Sequence, residues 1–311
     1  MGSKRALLTA IAIVALGALP FVAEEYRLFQ AQLIASTAII SLGLVVLTGI
    51  AGQISLAQAA FAAVGAYGST LAAIRLGIAP WFGIPVLAIL SAGIGYALGT
   101  VTLRVAGHYL ALATLALTAT VQVFLVHSDS ITGGAAGLAV PPLALGGIVL
   151  SSARDQYFVV MPIAILIFIA VSNILHSRFG RTLTALRESE VATGTLGLNV
   201  LHYKSLAFAI CAFLGTVGGG IQAFQTGYLD PNTFGIVESV LYLSVIVIGG
   251  FRSATGAMIG SAVFVLVPDL LGPFQTYKGV IFGVLLLLIV VTFPHGLSEL
   301  SRRVFALVKQ R

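Results

Sequence analysis

Leu33-Ile-Ala-Ser-Thr-Ala-Ile-Ile-Ser-Leu-Gly-Leu-Val-Val-Leu-Thr-Gly-Ile50 runs without a single charge into Ala51-Gly52-Gln53-Ile-Ser55-Leu-Ala-Gln58-Ala-Ala-Phe61. A hydrocarbon core needs roughly 20 apolar residues wound as a helix, and the first part of this stretch nearly supplies them. The second part interrupts the run with glycine, glutamine and serine before apolar residues resume. Comparable runs occupy residues 6–23, 82–103, 108–126, 157–175, 205–224 and 279–293. Weaker ones, rich in small and polar residues or short, lie at 56–74, 237–250 and 255–271. An all-α, polytopic transmembrane helix bundle of about ten segments is expected, with about eight full crossings as the fallback. The runs are continuous rather than alternating, which argues against a transmembrane barrel.

Composition supports this class. Of 311 residues, 59% are hydrophobic and 8% charged, against about a quarter charged in soluble domains. That apolar content excludes disorder, and the lone Cys211 excludes a disulfide scaffold. A net charge of +6 does not point to nucleic acid, because the basic residues flank apolar runs. With the N-terminus inside and every segment crossing, Lys4, Arg5, Arg104, Arg178, Arg181, Arg187, Lys204, Arg252, Arg302, Arg303, Lys309 and Arg311 fall inside. Only Arg27, Arg75, Arg154 and Lys278 fall outside, as positive-inside insertion requires. Both termini are then cytoplasmic, while Glu24, Glu25, Asp129, Asp155 and Asp230 are external. Re-entrant weak segments would alter the crossings between them. Lys4 and Arg5 before the first run, with Val22-Ala23 after it, have the form of a signal peptide. An uncleaved first helix is expected instead, since the rest of the chain inserts anyway. Residues 1–311 read as one domain, with an inner loop at 176–204.

No Gly-Lys pair occurs, so no P-loop can cradle nucleotide phosphates. His108, His127, His176, His202 and His295 are scattered near run ends, with no metal-binding spacing. Neither a nucleophile elbow nor a ladder of arginines is present. Enzymatic chemistry, a metal site and voltage sensing are therefore not expected. Gly95/Gly99, Gly215/Gly219, Gly256/Gly260 and Gly279/Gly283 have G-x-x-x-G spacing, but 35 glycines produce such pairs by chance. What they predict is close helix packing, with Gly218, Gly219 and Gly220 as a weak point in one helix.

Two polar constellations carry more. The Gly49–Phe61 stretch reads either as a broken helix lining a wet or protein-buried cavity, a transporter device, or as an inner turn capped by Ser55. The inner loop Arg178-Phe-Gly-Arg181-Thr-Leu183-Thr-Ala-Leu186-Arg187-Glu188-Ser-Glu190-Val-Ala192 places Leu183, Leu186 and Glu190 at helical spacing, with Gly194 or Gly197 to end the helix. It reads either as an amphipathic helix for a partner's groove or as a solvated loop.

Further blocks resemble one family. Gly52-Gln-Ile-Ser55-Leu-Ala-Gln58 with Gly65-Ala-Tyr67 comes first, then Leu103-Arg104-Val-Ala-Gly107-His-Tyr109 through Thr114, and Thr132-Gly133-Gly134 with Gly137-Leu138. Gly180-Arg181, Ala185-Leu-Arg187-Glu188, Gly197-Leu-Asn199, Lys204, Tyr228-Leu-Asp230-Pro231, Ser239, Gly249-Gly250, Gly256, Gly260 and Phe293-Pro294-His-Gly296-Leu297 follow in order. Across residues 42–297 the chain resembles the permease subunit of branched-chain amino-acid ABC importers, of the LivM-like type. It departs from them at Gln58, where the family often has histidine, and at Thr193-Gly194-Thr195, where the family is richer in alanine.

The resemblance implies a subunit in a bacterial inner membrane that binds no cofactor itself. ATP and Mg would be used by two separate ATP-binding cassette subunits. A second homologous permease, a periplasmic substrate-binding protein and membrane lipid complete the expected partners; nucleic acid is not one of them. Arg187, Glu188, Glu190, Ala192 and Gly197 would form the ATPase-coupling helix. Gln53, Ser55 and Gln58 are expected to offer neutral groups along the substrate pathway, and Glu238 to meet an ammonium or simply sit at a helix N-terminus, favoured by its dipole. The passage is expected near residues 53–58 and 249–260. Cargo alternatives are urea, short amides or aromatic acids. Another class is an ion-coupled secondary transporter, against which stands the lack of a central acidic residue in any run; a third is a membrane scaffold.

Overall fold

The computed structural model describes residues 20, 23–101, 108–145, 148–150 and 152–271, together with 283, 284, 287, 288, 291, 292, 296 and 297. Nearly all of the expected first apolar run and more than half of the last lie outside these residues, as do Arg104, Lys278 and the basic residues at both ends of the chain. Helix α1 (Glu25–Leu44) passes into a π-helical turn, Val45–Ile50. It is followed by α2 (Gln58–Leu76), α3 (Pro80–Val101) and α4 (His108–His127). A short α5 (Asp129–Thr132) and three two-residue strands, β1 (Leu138–Ala139), β2 (Ala144–Leu145) and β3 (Ile148–Val149), lead to α6 (Ala153–His176). Then come α7 (Arg178–Glu188), α8 (Glu190–Thr195) and α9 (Val200–Thr226). Strand β4 (Tyr228–Leu229), α10 (Ile236–Gly249) and α11 (Ala254–Leu270) complete the order.

Six of these stretches are long and apolar enough to cross a membrane: Glu25–Ile50, Gln58–Leu76, Pro80–Thr100, Tyr109–His127, Ala153–His176 and Val200–Thr226. Helices extend past the apolar runs wherever polar residues finish them. Ser152 caps α6 by accepting from Asp155 N, and Asn199 caps α9 by accepting from His202 N. Left-handed Gly77 and Gly227 close α2 and α9.

The two weak runs near the C-terminal end form a pair of helices bent by 119° at a short break, a broken span or a re-entrant loop. Helix α10 has only 14 residues, or about 21 Å at 1.5 Å per residue, short of a hydrocarbon core about 30 Å thick. Gly250, at φ 116°, makes the turn. Among the described residues this leaves six spans, or seven with the bent pair counted once.

Helix α9 is the axis, packed by α1, α2 and α3. Gly218 lies against α1 at Ser36 and Ile40, Gly219 against the Ala62 backbone of α2, and Gly220 against Ile84 of α3. The expected weak point at these glycines is therefore absent: α9 is unbroken, because each glycine is where a neighbouring helix comes closest. Side-chain bonds cross the same contacts, Thr216 Oγ1 donating to Phe61 O at 3.1 Å and Ser36 Oγ to Gln225 Oε1 at 3.1 Å.

Contacts sort the bundle into two ends. At one, Tyr26 donates to Asp269, Gln32 Nε2 to Ala153 O at 2.8 Å, Arg75 to Ser130 O at 2.5 Å, and β1 pairs with β4. At the other, Tyr96 meets His202 at 3.1 Å, Glu190 meets Lys204, and Leu297 N donates to Ile248 O at 2.8 Å. Among the described residues, the basic side chains expected inside lie toward the second end and those expected outside toward the first.

Candidate functional site

Between the π-helical turn and α2 the chain is neither helix nor strand over residues 52–57. Gly52, at φ +71°, reverses the backbone, and Gln53 N returns to Leu47 O at 3.1 Å. Irregular backbone at this depth is tolerable only if its polar groups find partners in the protein. They do. Thr48 Oγ1 donates to Gln53 O at 3.0 Å, and Leu56 is held on both sides by α4: its N–H donates to Thr114 Oγ1 at 2.9 Å and its carbonyl accepts from Thr118 Oγ1 at 2.7 Å. The start of α2 has no cap of its own, so Ser239 of α10 accepts from Ala59 N at 3.1 Å. The segment joins two stretches each long and apolar enough to span, Glu25–Ile50 and Gln58–Leu76, as irregular chain whose backbone is satisfied by protein groups, and Ser55 does not cap α2.

The break does not use its polar side chains as expected. Gln58 is 1% exposed, and both ends of its amide are taken: Nε2 donates to Ile40 O at 2.7 Å and Oε1 accepts from Cys211 Sγ at 3.0 Å. It ties α1, α2 and α9 together and has no free face for a passing solute. Ser55, also 1% exposed, accepts from Ala57 N at 3.3 Å and shapes the turn. In this conformation both side chains are buried and hydrogen-bonded within the protein. Gln53 is half-buried, between exposed Gly52 and Ile54. Glu238 is also half-buried and precedes Ser239, so the first turn of α10 lies beside the N-terminus of α2. The glycines of the expected lining at 249–260 pack closely. Gly249, Gly256 and Gly260 are buried against one another and against Val245, making the turn of the bent pair rather than a wall.

Thr114, Thr118 and Ser239 are the residues whose roles in the break were missed. A signal was present for two of them: Thr114 and Thr118, four apart, share one face of α4.

The expected coupling segment is two helices, not one. Ser189, extended at φ −159°, ends α7 and caps α8 by accepting from Ala192 N. Leu183 and Leu186 seat α7 on the bundle, at 1% and 2% exposure. Glu190 pairs at 2.5 Å with Lys204, near the start of α9. Glu188, Ala192 and Gly197 are exposed, and Val191 and Leu196 stand out at 80% and 78%. Thr193 turns inward, bonding Ser189 O at 2.8 Å. Arg187 points back to the break, donating from Nη1 to Gly49 O with its stem over Gly52.

A separate crevice of about 550 Å³ lies between α3, α6 and α9, lined by Trp81, Ile84, Ile163, Ile167, Phe213 and Val217 among others. Its lining is apolar apart from the Trp81 indole and holds no charged group to orient a zwitterion.

Residues 27–290 match the profile of the family described as the branched-chain amino acid transport system permease component. The chain belongs to this family. The permease is 29% identical to the LivM permease protein of the high-affinity branched-chain amino acid transport system of Escherichia coli, over 96% of this chain and 76% of that one. It is 26% identical to the LivH permease protein of the same organism, over 87% and 94%. The ribose import permease RbsC of Escherichia coli is 28% identical over 40% of the permease and 42% of its own length. No solved structure matches.

Proposed function

We propose that this permease is the membrane-spanning subunit of an ATP-driven importer for branched-chain amino acids, paired with a second permease of the same family. The family match over residues 27–290 carries this reading. Two separate ATPase subunits, using ATP and Mg, dock on α7 and α8, with Glu188, Glu190, Ala192 and Gly197 at or beside the contact. Exposed Val191 and Leu196 support this placement, because apolar side chains outside the hydrocarbon call for a partner. The end of the bundle carrying Arg178, Arg181 and Arg252 then faces the cytoplasm, as both termini do, in a bacterial inner membrane crossed about eight times with the bent pair re-entrant. A periplasmic binding protein delivers cargo at the opposite end.

The passage runs past the break, with Gln53 and Glu238 as its polar groups and apolar residues elsewhere. Tight binding there is unnecessary if the delivering protein sets selectivity. ATP-driven closure of the docked subunits biases two states of the bundle. The partial likeness to a ribose permease favours a second reading, in which the same machinery takes another small polar cargo.

Reconstitution tests the first reading. Leucine uptake into proteoliposomes should require ATP and the binding protein, and ATPase subunits should co-purify with the solubilised permease. Uptake driven by an ion gradient without ATP would overturn it.

A further inference from the structure

Arg187 is the last basic residue of α7, yet its guanidinium lies against the break. Nη1 donates to Gly49 O, and Cγ and Cδ cover Gly52. Gly49 sits in the π-helical turn, whose carbonyls lose the regular α-helical ladder. A cation at a helix C-terminus offsets both an orphan carbonyl and the negative end of the macrodipole, and here that cation comes from another element. A side chain at Gly49 would collide with the carbonyl of Phe251, at the turn of the bent α10–α11 pair. One side chain therefore joins the α7–α8 unit to the end of α1, directly against the α10–α11 turn. On the far side α8 is tied to α9 through Glu190 and Lys204, so Arg187 is the polar link from this unit to the break.

We infer that Arg187 is a positioning residue that transmits movement of α7 and α8 to the broken segment and the α10–α11 turn, rather than a contact for the ATPase. This deepens the proposed function and rests on its placement of the ATPase on α7 and α8. Displacing α8 shifts α7, and the guanidinium carries Gly49 with it. The reversal at Gly52 and the half-exposed Gln53 and Ile54 move in turn, while the threonine clasp on Leu56 holds the other end.

The test uses the assembled importer with Arg187→Met, which keeps the stem over Gly52 and removes the donors. ATPase subunits should co-purify as with the parent and hydrolyse ATP at a rate within about twofold, while uptake per ATP falls about tenfold or more, the size expected for losing one charge-assisted bond. Arg187→Lys, which retains a cationic donor, should recover part of the coupling. A thiol at Ile54→Cys, half-exposed at the break, reports on movement there; the native Cys211 is fully buried. Vanadate trapping with Mg-ATP should change the labelling rate of this thiol in the parent and leave it unchanged with Arg187→Met. Equal uptake per ATP in both, or a labelling change that persists in the variant, would overturn the inference. Loss of ATPase co-purification from Arg187→Met alone would also overturn it, by making Arg187 a docking contact. Absence of ATPase from the parent would instead refute the proposed function. If Arg187→Met fails to accumulate, Arg187→Gln carries the same readouts.

Discussion

Replacing Thr118 by valine removes one hydrogen-bond donor and almost no volume. Thr118 is fully buried, and its Oγ1 is 2.7 Å from the carbonyl of Leu56, which lies in the irregular chain between α1 and α2. Interhelical side-chain bonds in membranes average about 0.6 kcal/mol, because the alternative states also find partners. Here the acceptor is a backbone carbonyl outside any helix, and an unsatisfied buried acceptor costs about 1–3 kcal/mol. The second effect dominates, so Thr118→Val should destabilise by about 1–2 kcal/mol. For a chain of this size that corresponds to an apparent melting shift of about 2–8 °C, at roughly 2–4 °C per kcal/mol. The control is Thr120→Val on the same helix: Thr120 is exposed and bonds only its own turn, at Ala116 O, 2.8 Å away. It should shift melting by no more than about 1 °C, as surface substitutions do. Thermal unfolding in detergent at one fixed scan rate, alongside uptake by the assembled importer, measures both variants. Equal melting shifts for the two substitutions would refute the claim that the break depends on side-chain satisfaction of Leu56.

Gly219→Ala should destabilise by about 1–3 kcal/mol, since its methyl group would enter the Ala62 backbone. Gly93→Ala, which meets nothing within 4 Å, should be neutral or slightly stabilising by helix propensity, and thermal melting compares them. Glu190→Lys would set two ammonium groups together where Lys204 is 5% exposed. It should reduce ATPase co-purification and ATP-driven uptake while the permease still folds; normal values for both would remove Glu190 from the docking surface. Gln58→Ala should lower melting by several degrees through loss of its two bonds to α1 and α9. Gln53→Ala should leave melting unchanged and reduce uptake, so wild-type transport from this variant would remove it from the passage.

Much of the fold was legible because lipid imposes one strong rule: apolar residues must run for the thickness of the hydrocarbon. That rule located every described span to within a few residues, apart from the start of α1. There Glu25-Tyr-Arg-Leu-Phe-Gln is helical although too polar to count as an apolar run. Runs 237–250 and 255–271 defeated the same rule, because an apolar segment has the same composition whether it crosses or bends back. The docking segment was misread as one helix because Ser189 can continue a helix or cap the next one.

Residue type and order alone pointed to a membrane-spanning helix bundle and to two readings of the chain around Gly52–Gln53, since both depend on composition and spacing. The tertiary structure decided what each polar group does. Gln58 and Ser55 are equivalent to Gln53 in sequence terms, yet burial and hydrogen bonding consume them while leaving Gln53 partly free. Arg187 is one more cation at a membrane end until folding brings it, across 138 positions of chain, to the carbonyl of Gly49. A side chain's function depends on which partners remain to it after folding, and partners so distant along the chain meet only when the helices pack.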